Sequence, residues 1–141
     1  DPAEGEFVDK EGTVLGRHKG IIHYTVGQRK GLGKTFGKPM YVVHIDSENN
    51  RVTLGSNEDL FAGSFTVGGV NLISVPELKG PMEVTVKTRY KAAEVPATIY
   101  PAEQGRIFVE FKEKQRAVTP GQAAVFYQSD VVVGGGTILK A

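Results

Sequence analysis

The sequence predicts an all-β chain, a small β-domain followed by a six-stranded β-barrel. Short runs rich in Val, Ile, Thr, Phe and Tyr recur at regular spacing, and turn residues are dense, with 18 glycines and 7 prolines in 141 residues. No window shows a helical period of useful length. Six strand-like runs crowd the region after residue 64, and closing them into a barrel removes the exposed edges an open sheet would leave.

Taken in chain order, Phe7-Val8 and Thr13-Val14-Leu15 flank Asp9-Lys10-Glu11-Gly12, a hairpin loop closed by glycine. A second hairpin alternates over 40–45, turns through the polar run 46–50 and returns over 51–54. Ser56-Asn57-Glu58-Asp59 has the pattern of a capping box and predicts one helical turn before Leu60 and Phe61. That turn marks a seam near residues 60–64, so the expected domains are 1–62, a basic β-domain, and 63–141, the barrel. Barrel strands are expected at 65–67 with 70–74, 82–90, 95–100, 107–111, 123–127 and 131–139. Gly134-Gly135-Gly136 lies inside the last of these, where interior glycines imply a bulge or a sharp bend.

Charge is distributed unevenly along the chain. The formal net charge is only +1, yet Arg17, Lys19, Arg29, Lys30, Lys34 and Lys38 stand between residues 12 and 45 without one Asp or Glu among them. Acids cluster instead at Asp1, Glu4, Glu6, Asp9 and Glu11. An acid-free basic segment is the footprint of a polyanion. At its centre, HKGIIHYTVGQRKGLG (18–33) has glycines that allow close approach of a ligand, and Tyr24 offers a ring for stacking. In Lys87-Thr88-Arg89-Tyr90-Lys91, strand alternation puts Lys87, Arg89 and Lys91 on one face. An arginine beside a tyrosine suits phosphate pairing with base or sugar contact, although a solvated outer barrel face is the plain alternative. Val118-Thr119-Pro120-Gly121-Gln122 reads as a tight turn. The Gln122 amide at its tip is able to donate to a phosphate or accept from a ribose hydroxyl.

Other chemistry finds little support. Gly31-Leu32-Gly33-Lys34-Thr35 resembles the end of a phosphate-binding loop, but Gln28 stands where the first glycine belongs, and Gly37 and Pro39 deny the helix that should follow. His18, His23 and His44 lack a fourth ligand, and the surrounding cations repel a metal. No serine has a G-x-S-x-G elbow, and no nucleophile, acid and base group together, so no catalytic residue is assigned. The absence of cysteine removes disulfides, thiolate metal sites and cysteine nucleophiles. No run approaches the roughly 20 apolar residues of a membrane span, and DPAEGEFVDK lacks the order of a secretory signal. The expectation is a soluble, cytoplasmic chain with no membrane partner. Lacking an initiating methionine, it reads as a piece of something longer.

Four ordered blocks, HKGIIHYTVGQRKGLG (18–33), YVVHIDSENNRVTLG (41–55), VTVKTRY (84–90) and AVTPGQAAVFYQSDVVVGGGTI (117–138), closely resemble the carboxyl part of the tRNA-specific 2-thiouridylases, sometimes labelled tRNA (5-methylaminomethyl-2-thiouridylate)-methyltransferases. The resemblance implies an enzyme that uses ATP with Mg to adenylate the wobble uridine of certain tRNAs at the 2-oxygen and then installs sulfur relayed as a persulfide. It implies an amino-terminal ATP-pyrophosphatase domain, a small central β-domain and a carboxyl-terminal β-barrel, of which this chain matches the last two. The SGGVDS-type phosphate loop and the two sulfur-transferring cysteines of the family are missing, so this chain is expected to be inactive alone and to need no cofactor. The tRNA contacts carried over by motif are Arg89, Tyr90 and Gln122. Further candidates are His18, Lys19, Gln28, Arg29, Lys30 and Lys87. The implied partners are tRNA and, through the whole protein, a sulfur-relay protein or cysteine desulfurase, with no DNA. The competing expectation is a docking module for an acidic partner or for the whole protein's own catalytic domain.

Overall fold

The computed structural model describes residues 3–32, 37–88 and 93–140. The described residues form strands and short 3₁₀ turns only, and the chain divides into two compact units, Asp1–Phe61 and Ala62–Ala141.

In the first unit, β1 (Gly5–Val8) and β2 (Val14–His18) form the expected first hairpin. Asp9 shapes its loop, its Oδ1 accepting from the Glu11 and Thr13 amides at 3.0 and 2.9 Å. The second hairpin, β3 (Tyr41–Asp46) and β4 (Arg51–Gly55), carries a bulge between Val42 and His44. Asp46 organises its turn by accepting from the Glu48 and Asn49 amides and the Asn49 side chain; the bonds from Asn49 hold its carboxyl below the ordinary value. Sequence reading left the two hairpins separate, whereas the structure joins them through a parallel β1–β4 pairing, giving the order β2-β1-β4-β3. Phe7, Tyr24, Leu32, Val42, Val52 and Leu54 form the core of this unit. The 3₁₀ turn Asn57–Leu60 follows where the capping box placed a helical turn.

The second unit is a closed barrel of β5 (Phe61–Leu72), β6 (Met82–Lys87), β7 (Val95–Pro101), β8 (Ile107–Arg116), β9 (Ala123–Gln128) and β10 (Val131–Lys140), in the order β10-β5-β8-β7-β6-β9. Alternate residues such as Val84 and Val86, Ile107, Val109 and Phe111, and Ala124 and Phe126 fill its interior. Three strands differ from expectation. β5 runs unbroken through Gly68 and Gly69 and starts earlier than residue 65, and β8 continues past Phe111 to Arg116. β6 stops at Lys87. The glycine run in β10 does carry register shifts, one against β9 between Val132 and Gly134 and one against β5 between Gly135 and Thr137. No helix among the described residues is long and apolar enough to cross a membrane.

Candidate nucleic-acid interface

The basic segment of the first unit is a well-tied loop. After β2, Gly20 at φ 124° turns the chain into the 3₁₀ turn Ile21–His23, whose end is closed by the Tyr24 amide donating to the Ile21 carbonyl at 3.2 Å. Gly27 and Gly31, at φ 96° and 77°, make the next reversals. Between them Gln28 acts as a staple: its Oε1 accepts from the Thr25 amide at 3.0 Å and its Nε2 donates to the Lys30 carbonyl at 2.8 Å. Its backbone carbonyl accepts from the Val42 amide at 2.9 Å, docking the loop on β3. Gln28 therefore presents its neighbours more than itself. Lys19, Arg29, Lys30 and Lys38 are exposed on this frame, as are His23 and His44.

Two expectations in this segment are corrected. His18 is 2% exposed, its Nδ1 accepting from the Gly20 amide at 3.0 Å and its Nε2 lying 2.9 Å from the Asn50 carbonyl. With Nδ1 accepting, Nε2 carries the proton and donates. Both ring nitrogens are used inside the protein, so none is left for RNA. Tyr24 is buried too, edge-on to Phe7 and His18 at 5.3 and 5.7 Å, and its hydroxyl accepts from the Lys19 amide at 3.3 Å. These rings hold the loop from beneath rather than stack on a base.

Nearby acids are taken up by other cations. Lys10 lies 2.9 Å from Asp59, Arg17 is 4.0 Å from Glu4, and Arg51 is 3.6 Å from Glu6. The Lys10 hydrogen bond holds the Asp59 carboxyl below its ordinary value, and Asp59 in return raises Lys10. Among the described residues Lys19, Arg29 and Lys30 make no such ion pair, so their charge faces solvent.

In the barrel, Lys87 closes β6 on the outer face that also carries Glu83 and Thr85, opposite inward Val84 and Val86. That described face is of mixed sign, and Glu94 lies beside it, accepting from the Thr85 hydroxyl at 2.6 Å. Arg89, Tyr90 and Lys91 lie outside the described residues, as do Lys34 and Thr35. Gln122 is exposed at the end of the Pro-Gly turn. Gly121 has φ 92°, and the Gln122 amide donates to the Thr119 carbonyl at 3.2 Å, the pattern of a type II turn. The register Lys87↔Val125 shows that β6 runs toward the end of β9 that bears Gln122. Sequence reading missed Lys112, Lys114 and Arg116, exposed at alternate positions on the lengthened β8. Their period-2 spacing was the available signal. Among the described residues no three His, Cys, Asp or Glu side chains come together as a metal site.

A model described as Aminomethyltransferase beta-barrel domain matches residues 62–138, and one described as tRNA methyl transferase PRC-barrel domain matches residues 1–56. Fold and matches define the class: a PRC-barrel unit followed by an aminomethyltransferase-type β-barrel. The tRNA-specific 2-thiouridylase MnmA of Acetivibrio thermocellus is 57% identical over 134 residues, covering 95% of this chain and 37% of its own length. Those of Clostridium botulinum (MnmA 1) and Clostridioides difficile are 56% and 52% identical, over 97% and 98% of this chain and 38% of their own length. The chain belongs to the family of the tRNA-specific 2-thiouridylases, and it spans a little over a third of the length of these relatives.

Proposed function

We propose that this chain is the tRNA-gripping portion of a tRNA-uridine 2-sulfurtransferase, which makes 2-thiouridine at the wobble position. The observation that carries this reading is the set of exposed, unneutralised cations on the stapled loop, Lys19, Arg29 and Lys30, in a chain of this family. Phosphate contacts supply affinity, and the shape of folded RNA supplies selection. In the whole protein, ATP with Mg would activate the 2-oxygen of the uridine, and a persulfide supplied through a sulfur-relay protein or cysteine desulfurase would bring the sulfur. This chain contains no cysteine, so the persulfide is carried by residues outside it. The work of this chain is to bind and orient the RNA.

Arg89, Tyr90 and Gln122 are the contacts proposed for the barrel. Replacing Arg89 by Ala should weaken tRNA binding and reduce the slope of log affinity against log salt by about 0.7–0.9, one phosphate's worth of counterions. Titration at several salt concentrations reads both quantities, and an unchanged slope would make Arg89 a charge that makes no phosphate contact.

One observation favours a second reading, docking on an acidic protein surface. Ile22, at the tip of the 3₁₀ turn in the basic loop, is 75% exposed, an apolar contact suited to a protein partner. A gel shift with tRNA and with a DNA duplex of equal charge separates the readings. Preference for tRNA supports the first, and equally weak binding to both supports docking.

A further inference from the structure

The ladder registers of the barrel sort its charged residues by end. At one end β6 finishes at Lys87, which pairs with Val125 on β9, three residues from Gln122. β10 finishes at Lys140, opposite Thr66 of β5. The Ile138 amide donates to the Gln122 carbonyl at 2.8 Å, and the Gly121 amide donates to the Ile138 carbonyl at 2.8 Å, so the Gln122 turn sits two residues from Lys140. β8 reaches the same end: Phe111 is opposite Ala97, Val95 is opposite Val86, and Lys114 and Arg116 lie beyond Phe111 in the same direction.

Lys87, Lys114, Arg116 and Lys140 thus stand at the same end of the barrel as Gln122, Lys87 and Lys140 on the two strands that flank β9 and Lys114 and Arg116 across the barrel on β8, with Glu94 and Glu113 as the acids at that end. Glu94 is already engaged by the Thr85 hydroxyl. Among the described residues, Lys87, Lys114 and Lys140 make no salt bridge or side-chain hydrogen bond. At the opposite end stand Glu77, Glu83, Glu103 and Asp130 with Lys79 and Arg106, and Lys79 lies 3.9 Å from Glu77. A surface adapted only to solubility intermixes its signs, whereas this barrel separates them along its axis. Lys114 and Arg116 also recur at about 7 Å on one strand face, which presents charge to a chain-like polyanion rather than to a single anion.

We propose that this end of the barrel is one continuous phosphate-binding face, in which Lys114 and Lys140 join Lys87 and Gln122 in holding the RNA backbone, while the opposite end stays off the RNA. The proposal rests on the tRNA-binding reading above and extends it to strands β8 and β10. It makes the barrel's hold on RNA a property of three alternate strands whose ends only closure brings onto one rim. Lys112 is left out, because it lines an outer groove shared with Glu83 and Glu110.

The test uses the full chain, tRNA and fluorescence anisotropy at several salt concentrations, with Lys114→Gln, Lys140→Gln, the double variant, and Arg106→Gln as control. All three sites are exposed, and unchanged melting curves verify folding. Each rim substitution should weaken binding severalfold at low salt and flatten the salt slope by about 0.7–0.9, the double variant by about twice that, and Arg106→Gln should change neither. Wild-type binding with an unchanged slope in the double variant overturns the rim proposal alone. Equal losses in the rim and control variants also overturn it, since binding would then follow net charge. Absence of salt-dependent tRNA binding by the wild-type chain overturns the tRNA reading itself and the rim proposal with it.

Discussion

His18 shows how a residue chosen for its chemistry can be claimed by the fold. It ends β2, where the chain must leave the sheet, and its two ring nitrogens bridge the start of the basic loop at Gly20 and the β3–β4 turn at Asn50. Sequence could not reveal this, because Asn50 is 32 residues away and reaches His18 only after β1 and β4 pair. Gly5 makes the bridge possible: a Cβ there would strike the Asn50 carbonyl and lie 2.5 Å from His18 Nε2. Gly5→Ala should therefore cost about 2–4 kcal/mol, combining overpacking with a broken hydrogen bond; urea denaturation measures it, and a loss under 0.5 kcal/mol would contradict the geometry. Asp59 gives a pH-dependent counterpart. Its folded-state pKa is lowered, first by the Lys10 hydrogen bond and then by the Ser56 amide at 2.9 Å. Its stabilising contribution is thus full above the ordinary carboxylate value of 3.8 and disappears as pH falls through the lowered value. Lys10 is raised, so its share persists below 10.5 and fades above. Melting temperatures of wild type and Asp59→Asn should differ at neutral pH and converge as pH falls through the lowered Asp59 value; a constant gap would exclude this linkage.

Among the elements, β10 is the one whose sequence looked least like a strand and whose geometry explains why. Its three glycines face different neighbours. A Cβ on Gly134 would meet the Asn71 carbonyl and lie 2.9 Å from the Leu72 Cα, one on Gly135 would meet the Ala124 carbonyl, and one on Gly136 would be 2.5 Å from the Gly68 carbonyl oxygen. β10 thus lies too close to β5 on one side and β9 on the other for side chains at these positions. Gly134 also has φ 158°, disfavoured for other residues. Gly134→Ala should destabilise the barrel by about 2 kcal/mol or more, with hydrogen exchange accelerating first in β10 and β5; unchanged protection there would refute the close-packing account. β8 teaches the reverse lesson. Its apolar alternation ends at Phe111, so hydrophobic pattern alone placed its end there, but hydrogen bonding carries the strand on with polar residues. The Gln122 turn needed no tertiary help, since proline and glycine in adjacent turn positions specify it locally.

For the whole molecule, the functional prediction is negative as well as positive. The chain, offered tRNA, ATP and a sulfur donor, should bind the RNA yet form no 2-thiouridine, because it has no thiol to carry sulfur; any thiolated product in a mass-spectrometric digest would refute this. Residue order by itself determined much of the architecture: all-β character, both hairpins of the first unit, the capping-box turn, six barrel strands and the acid-free basic segment. These are properties of short windows, where period, turn chemistry and charge act between near neighbours. Tertiary structure alone decided the parallel β1–β4 pairing, the burial of His18 and Tyr24, the docking of the Gln28 carbonyl on the Val42 amide, and the placing of Lys114 and Lys140 at the same barrel end as Lys87 and Gln122. Each depends on segments distant in the chain. Whether a histidine meets solvent, or which lysines share one rim, is set by strand register and barrel closure, which no single window of sequence contains.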